Sequence, residues 1–535
     1  MPIAVSGASS PVKDRRLAPV PAGVTDNFEI KGDAAAGIDA ALRRATTAHR
    51  HGLLDDAAVI YGEVLRAEPR NAQALRLSGV LARQQGDLAL SLRRLTAAID
   101  AAPGDVTAVN DLALTLMAAG DLYEAELALR NVLHVAPDSV RALANLGALL
   151  QQRGHLVEAI AVHYRYLELE PDDLEVRCNL ANALMDAGRE QESLRVCDAA
   201  LDLAPGHPLV AAGKGAVLCG LGRCEEAIDI LELALSDNPD DAMALINLAY
   251  AQRESSDVDA AIASLVRAVE CDPGNARAVS DLANVLLATD QVRRAVDVCE
   301  RFLDVYPGER LVLATCGYAL RDAGRVDDSR HILDYEHLVR VCDVEAPEGF
   351  PDLVQLNDGL HEFVTTHSSL IADPARKSTI GGAQTGELDP AESQVFAAFD
   401  TAIRREIKAT IDELLAEGFG GHDVMAYATE NWTLRTWGTV LRNGGYQSPH
   451  QHPLGWLSGV YYVSLPVSEN GMSEGKLEFG EPPARIQVRE ACERKIVTPK
   501  PGRLVLFPSW FYHRTQPFAG PGTRVSIAFD VMPQY

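Results

Sequence analysis

The sequence is short of positive charge, of paired cysteines and of long apolar runs, and each absence narrows what the chain does. Lysine and arginine number 49 against 75 aspartates and glutamates, a formal net charge of −26 over 535 residues. General binding to nucleic acid or to an anionic membrane needs a basic footprint, and this balance argues against both. An acidic surface suits solubility or selects basic partners. The nine cysteines are scattered, without the close pairs that hold zinc, so reduced thiols in a cytoplasmic protein are expected. No apolar stretch approaches the roughly 20 residues that span a bilayer. No basic start leads into an apolar segment, so neither a membrane helix nor a signal peptide is expected. Aromatic residues are only 6% of a chain that is 47% apolar, a bias toward alanine- and leucine-rich helices.

What is present is a repeat. Residues 1–33 are rich in Pro, Ser, Gly and Ala without apolar periodicity and read as a disordered tail. After them, prolines fall at 69, 103, 137, 171, 205, 239, 273 and 307, a constant spacing of 34. Glycines at 52, 86, 120, 154, 188, 222 and 324 keep that spacing, with Ser256 and Asp290 in the two gaps. Five residues after each stands a small residue: Ala57, Ser91, Ala125, Ala159, Ser193, Ala227, Ala261, Ala295 and Ser329. A glycine ends the first helix of a pair because it accepts the left-handed turn. The small residue lets two helix axes approach, and the proline stops the second helix. Cys197 and Cys299 lie 102 residues apart, three repeats, and are expected in equivalent core positions.

This pattern resembles the tetratricopeptide repeat family, with about nine repeats over residues 34–338. The resemblance implies an all-α, right-handed superhelix of helix pairs with a concave groove. Asp111, Asn145, Asn179, Asn247 and Asp281 share one phase of the repeat, interrupted by Gly213 and Thr315. They resemble the asparagine ladder in the repeat domain of protein O-linked N-acetylglucosamine transferases. That likeness implies a groove that grips a peptide backbone, since a carboxamide both donates and accepts.

Residues 339–356 read as a linker and 357–535 as a second domain. Asn357–Thr366 and Pro390–Glu417 read as helices, and Lys377–Leu388 as a glycine-rich loop without the lysine placement of a phosphate-binding loop. From about residue 431 the period becomes 2. Strand-like runs are Thr433–Leu441, Leu457–Leu465, Lys476–Phe479, Arg485–Arg489, Lys495–Thr498, Arg503–Phe507, Tyr512–Gln516 and Arg524–Val531. Short strands at this density predict a double-stranded β-helix, or jelly roll, with flanking helices, in an α + β multidomain chain.

The chemistry gathers at the second run, where His450 and His452 stand at its mouth and share one side of an extended chain. His513 and Arg524 follow in later strands. Three converging imidazoles suit a first-row divalent metal. A guanidinium suits bidentate capture of a carboxylate, which Ser526, two residues on, is placed to share. Of Tyr461 and Tyr462 one must face inward, and Tyr462 is the candidate. Trp437, Trp456 and Trp510 read as core or pocket wall.

His450-Gln-His452, His513 and Arg524, together with Asn443-Gly-Gly-Tyr-Gln-Ser-Pro and Pro501-Gly-Arg-Leu-Val-Leu-Phe-Pro-Ser-Trp510, resemble the 2-oxoglutarate/Fe(II)-dependent dioxygenases. The resemblance implies Fe(II), 2-oxoglutarate and O2 as cofactors. It also implies metal ligation at His450, His452 and His513, and co-substrate binding at Arg524, Ser526 and Tyr462. It departs from the usual facial triad of two histidines and a carboxylate, because His452 stands in the acidic place. Three arrangements are open: three histidine ligands, two with water in the third place, or a carboxylate such as Glu478 or Glu481 swinging in. The expected function is hydroxylation of a peptide or protein recruited by the repeats. A non-catalytic scaffold with a degenerate barrel, or an oxygenase for a small molecule or carbohydrate, are the alternatives.

Overall fold

The 34-residue period has its origin in a single conformational demand at the end of each first helix. In the computed structural model, which describes residues 34–374, 377–429, 431–466, 475–484, 486–490 and 492–533, all seven periodic glycines have positive φ. So do the two residues that fill the gaps, Ser256 at 65° and Asp290 at 64°. The tail expected to be disordered, 1–33, lies outside the described residues. The small residues five places on are all buried, from 0% to 1% exposed, where paired helices meet. Where the small residue is serine, its hydroxyl is bonded: Ser193 donates to the Ala181 carbonyl at 2.7 Å and Ser329 to that of Gly317 at 2.8 Å. Helix starts such as Asp87, Asp173 and Asp241 cap free amides with their carboxylates. Cys197 and Cys299 are buried, and the nine cysteines are free thiols.

The described chain falls into two compact units. The smaller holds the repeats up to Arg153 with Glu158–Pro171; the larger holds Gly154–Val157 and everything from Asp172 onward. No helix among the described residues is long and apolar enough to cross a membrane.

In the larger unit the repeats lead into a ten-stranded antiparallel, curled sheet. Its strands are β1 (Arg340–Asp343), β2 (Ile371–Ala372), β3 (Thr379–Gln384), β4 (Trp432–His450), β5 (Leu457–Ser464), β6 (Leu477–Phe479), β7 (Lys495–Val497), β8 (Arg503–Pro508), β9 (His513–Thr515) and β10 (Arg524–Pro533). The order is β1-β8-β5-β10-β4-β9-β6-β7, with β3 also on β4 and β2 on β3. The first half of β4 pairs with β10 and its end pairs with β9. The bend between falls at Gly444, with φ 77°, and Gly445. A Cβ on Gly445 would lie 2.6 Å from the Gly381 carbonyl oxygen, so the β3 and β4 backbones touch there and only glycine fits.

Several expectations change. The glycine-rich stretch 377–388 holds strand β3 rather than being all loop, because its glycines serve the close approach to β4. Residues 486–489 of the expected strand Arg485–Arg489, and Glu490 after them, form no strand. Two of them spend backbone amides elsewhere, Arg489 and Glu490 donating to the Asp322 carboxylate at 3.1 Å. The stretch read as a linker, 339–356, contains β1, which pairs with β8, and the start of the helix Leu353–Thr365. The first strand runs on to His450, so this histidine ends β4 and does not open β5. The helices Leu353–Thr365 and Gln394–Ala416 lie where expected.

The two faces of the sheet differ in chemistry. On β10, Val525, Ile527, Phe529 and Val531 are fully buried. Ile527 stands opposite Gly438 and Tyr461, which meet the helix Leu353–Thr365: a Cβ at 438 would strike Val364, and Tyr461 donates to Asn357 at 2.8 Å. The alternate residues of β10, Arg524, Ser526, Ala528 and Asp530, therefore share the opposite face.

Candidate metal centre

A cross-strand pair and a turn, not a shared strand, bring the three histidines together. His450 at the end of β4 stands directly opposite His513 at the start of β9. His452 lies beyond the strand in a turn closed by Gly455 N–H to the His452 carbonyl at 3.2 Å. Pro453 takes the second place of that turn, which its fixed φ suits. The His452 amide donates to the Ser509 carbonyl at 2.9 Å, and the Trp456 amide to that of Val531 at 2.8 Å. The turn is thus pinned to β10 and to the segment before β9. From the preceding helices, Arg310 stacks on Tyr427 at 4.4 Å and donates to the Pro453 carbonyl at 3.1 Å.

The imidazole centroids are 4.3 Å apart for His450 and His513, and 5.1 Å for each of the other two pairs. One nitrogen from each ring lies within 4.8 Å of the others, a set able to hold a metal ion. Each Nδ1 has its own acceptor: the Ser448 carbonyl at 2.8 Å for His450, the Phe511 carbonyl at 3.0 Å for His513, and Asp530 Oδ1 at 2.6 Å for His452. Those contacts place the proton on Nδ1 and leave Nε2 as the lone-pair donor of each ring, the form a metal needs. Burial, with the neighbouring His452, pushes the pKa of His450 down to about 3; burial and the other two rings push that of His513 well below its usual value. Burial thus favours the neutral ring at His450 and His513.

Of the carboxylates considered, Glu478 points elsewhere. Phe479 is the residue opposite His513, so Glu478 faces the other side of β6, opposite Arg514. There it pairs with Arg494 at 2.7 Å and Arg514 at 2.9 Å. Glu481 pairs with the same two arginines.

Farther along the histidine-bearing face lies Arg524, 1% exposed. Its Nη1 donates to the Gly475 carbonyl at 2.5 Å and its guanidinium stacks on Tyr462 at 4.9 Å. Its Nε is buried without a partner, as are the Tyr462 hydroxyl and Thr439 Oγ1. Burial lowers the pKa of this guanidinium. Ser526 stands opposite both Thr439 and Tyr462 in the pairing, so the three share one layer. Tyr461 faces the helices, and Tyr462 is the inward member of the pair. Trp456 and Trp510 are core, while Trp437, half-buried and 5.3 Å from the His452 ring, is wall.

Sequence reasoning missed Asp530 and Thr439. Asp530 has the strand parity of Arg524 and Ser526, a signal that could have found it. Thr439 follows only from the β4–β10 register. Among the ladder residues, three already spend polar groups on bonds between neighbouring helices. Asp111 pairs with Arg76 at 2.7 Å, Asn145 donates to Asn110 at 3.1 Å, and Asn247 to the Ala212 carbonyl at 3.3 Å. Asp281 lies 3.5 Å from Arg277, and Asn179 is half-buried.

Residues 435–530 match the model of a family described as "Putative 2OG-Fe(II) oxygenase". Two tetratricopeptide repeat models match 32–106, 110–173 and 214–276, and 150–217 and 252–317. No curated protein matches the chain. Solved structures similar to it include a tetratricopeptide repeat protein from Parabacteroides merdae ATCC 43184, at 18% identity and TM-score 0.41, covering 46% of this chain and 98% of that one. MamA from Desulfovibrio magneticus RS-1 is similar at 24% identity and TM-score 0.27, covering 31% and 94%. YrrB, described as a TPR protein with an unusual peptide-binding site, is similar at 18% identity and TM-score 0.29, covering 35% and 95%.

Proposed function

We propose that this tetratricopeptide repeat protein, whose C-terminal domain belongs to the family described as "Putative 2OG-Fe(II) oxygenase", is an Fe(II)/2-oxoglutarate-dependent dioxygenase that hydroxylates a peptide or protein. One observation carries the reading: three imidazoles converge on the sheet face that also carries a buried arginine with no ion-pair partner among the described residues. A buried, unpaired guanidinium is costly, and its natural complement is a carboxylate from outside the chain. The orphaned Tyr462 hydroxyl and Thr439 Oγ1 add donors in the same place. The residues present therefore fit both the metal and a dicarboxylate co-substrate.

In this reading the curled sheet is a double-stranded β-helix, and its domain is residues 357–535 joined by β1 (Arg340–Asp343), which pairs with β8. His450, His452 and His513 hold the iron, and Arg524, Ser526 and Tyr462 hold the distal carboxylate of 2-oxoglutarate. Together with O2, the bound iron and oxo acid supply an oxidative decarboxylation coupled to hydroxylation of the substrate. The chain's part is fixed geometry. Backbone carbonyls and Asp530 orient the rings, Arg524 sets the co-substrate's direction, and Trp437 with Val460 and Ala528 walls the half-open face between them. The repeats recruit the peptide in a cytoplasmic protein. Asn179, Asn145, Asn247, Asp111 and Asp281 remain candidates for gripping it, although the internal bonds of Asp111, Asn145 and Asn247 also staple neighbouring helices.

Incubation with Fe(II), 2-oxoglutarate and air tests the proposal. The wild type should form succinate and His513→Ala should form none. Equal succinate from both would remove the histidine site from the reaction.

A further inference from the structure

The three histidines are not equivalent. His450 and His513 donate their Nδ1–H to neutral backbone carbonyls, whereas His452 donates its Nδ1–H to a carboxylate. Asp530 Oδ1 lies 2.6 Å from that nitrogen and also accepts from Ser458 Oγ at 2.6 Å. Its side chain is 13% exposed, and His452 is its one ion-pair partner among the described residues. The surroundings are shaped to it. Ser458 is its opposite number on β5, and a Cβ on Gly455 would press within 3.0 Å of the Asp530 Cβ.

We propose that Asp530, acting through His452, supplies to the metal the negative charge that a directly bound carboxylate supplies in the usual facial triad. The inference rests on the oxygenase reading and concerns how this chain satisfies it with a histidine in the acidic place. An N–H to carboxylate bond raises the electron density at the opposite ring nitrogen and fixes the ring's orientation. His452 is thereby made the most anionic of the three donors. The site keeps one negative charge close to the metal, displaced by one imidazole, and needs no help from Glu478 or Glu481, which are spent on Arg494 and Arg514. Asp530 is a positioning residue: it touches a ligand, not the substrate.

The test uses the full chain under anaerobic conditions, with Fe(II) affinity by equilibrium dialysis and the Fe(III)/Fe(II) midpoint potential as readouts. Asp530→Asn keeps an oxygen facing His452 and removes the charge. It should weaken Fe(II) binding about 10- to 100-fold and move the potential to more positive values. Ser458→Ala and Glu478→Gln, which leave the Asp530 charge in place, should stay within about threefold of wild type, well short of that loss. Unchanged affinity and potential in Asp530→Asn would overturn the proposal. Weaker binding at an unchanged potential would also overturn it, since orientation alone would then account for the loss. A second pair keeps the idea testable if Asp530→Asn does not fold. His452→Asp sets two carboxylates together, and adding Asp530→Asn to it should recover at least about tenfold in affinity, the size expected of relieving that repulsion. No recovery would count against the charge role. A wild type that binds no divalent metal would overturn the oxygenase reading as well, which separates the two failures.

Discussion

Arg524 carries a full charge into a site that is 1% exposed, with its Nε unpartnered. Removing such a charge relieves a desolvation cost, while removing its eventual ligand partner does not. Arg524→Leu should therefore melt at or slightly above the wild-type temperature without co-substrate, yet lose all stabilisation by 2-oxoglutarate. The wild type should gain about 2.7 kcal/mol at a hundredfold excess over Kd. Thermal unfolding with and without the oxo acid checks both halves; a variant that still responds would remove Arg524 from the co-substrate site. The histidines and this arginine were legible in the sequence because metal and carboxylate chemistry restricts residue type. Asp530 was not, because its role is set by a hydrogen bond across 78 residues, and an aspartate in a strand carries no mark of its partner.

At the scale of elements, the repeat was legible to the residue because each helix pair re-uses one left-handed turn. Ser256 and Asp290 occupy that turn at φ 65° and 64°, where a side chain is strained and glycine is not. Ser256→Gly and Asp290→Gly should each stabilise the chain by about 0.5–1 kcal/mol in urea unfolding. A second misfit lies at His163. In equivalent places Leu95, Leu231 and Leu333 pack on Gly79, Gly215 and Gly317, and His163 packs in the same way on Gly147. Both of its ring nitrogens are buried without partners, and burial lowers its pKa to about 4. Between pH 6.5 and about 4 the unfolded chain then binds the extra proton, so stability falls as pH falls through that window. His163→Leu should be more stable at neutral pH and should lack this part of the acid sensitivity. A wild-type and variant pair with parallel pH profiles would contradict it. Strand β3 was hidden for the opposite reason: the glycines that let it touch β4 lower its strand propensity, so close backbone contact reads as a loop.

At the scale of the molecule, the sequence separates the helical repeats from the sheet that carries the histidines. Thirty-four-residue periodicity announces the helical part and period 2 the sheet, yet the 19-residue β4 runs well past the expected Thr433–Leu441, through Gly444 and Gly445 to His450. A net −26 argues against general binding to nucleic acid and anionic membranes, and under the proposed function it suits a basic peptide. The central claim is that the histidine trio holds iron where a dicarboxylate held by Arg524 can reach it. Anaerobic addition of Fe(II) and 2-oxoglutarate to the full chain measures this directly. A weak visible charge-transfer band should appear in the wild type and in an Asn145, Asn179 and Asn247 triple alanine variant that remains folded, and should be absent from His513→Ala. No band in the wild type, with no succinate on admitting air, would contradict the account.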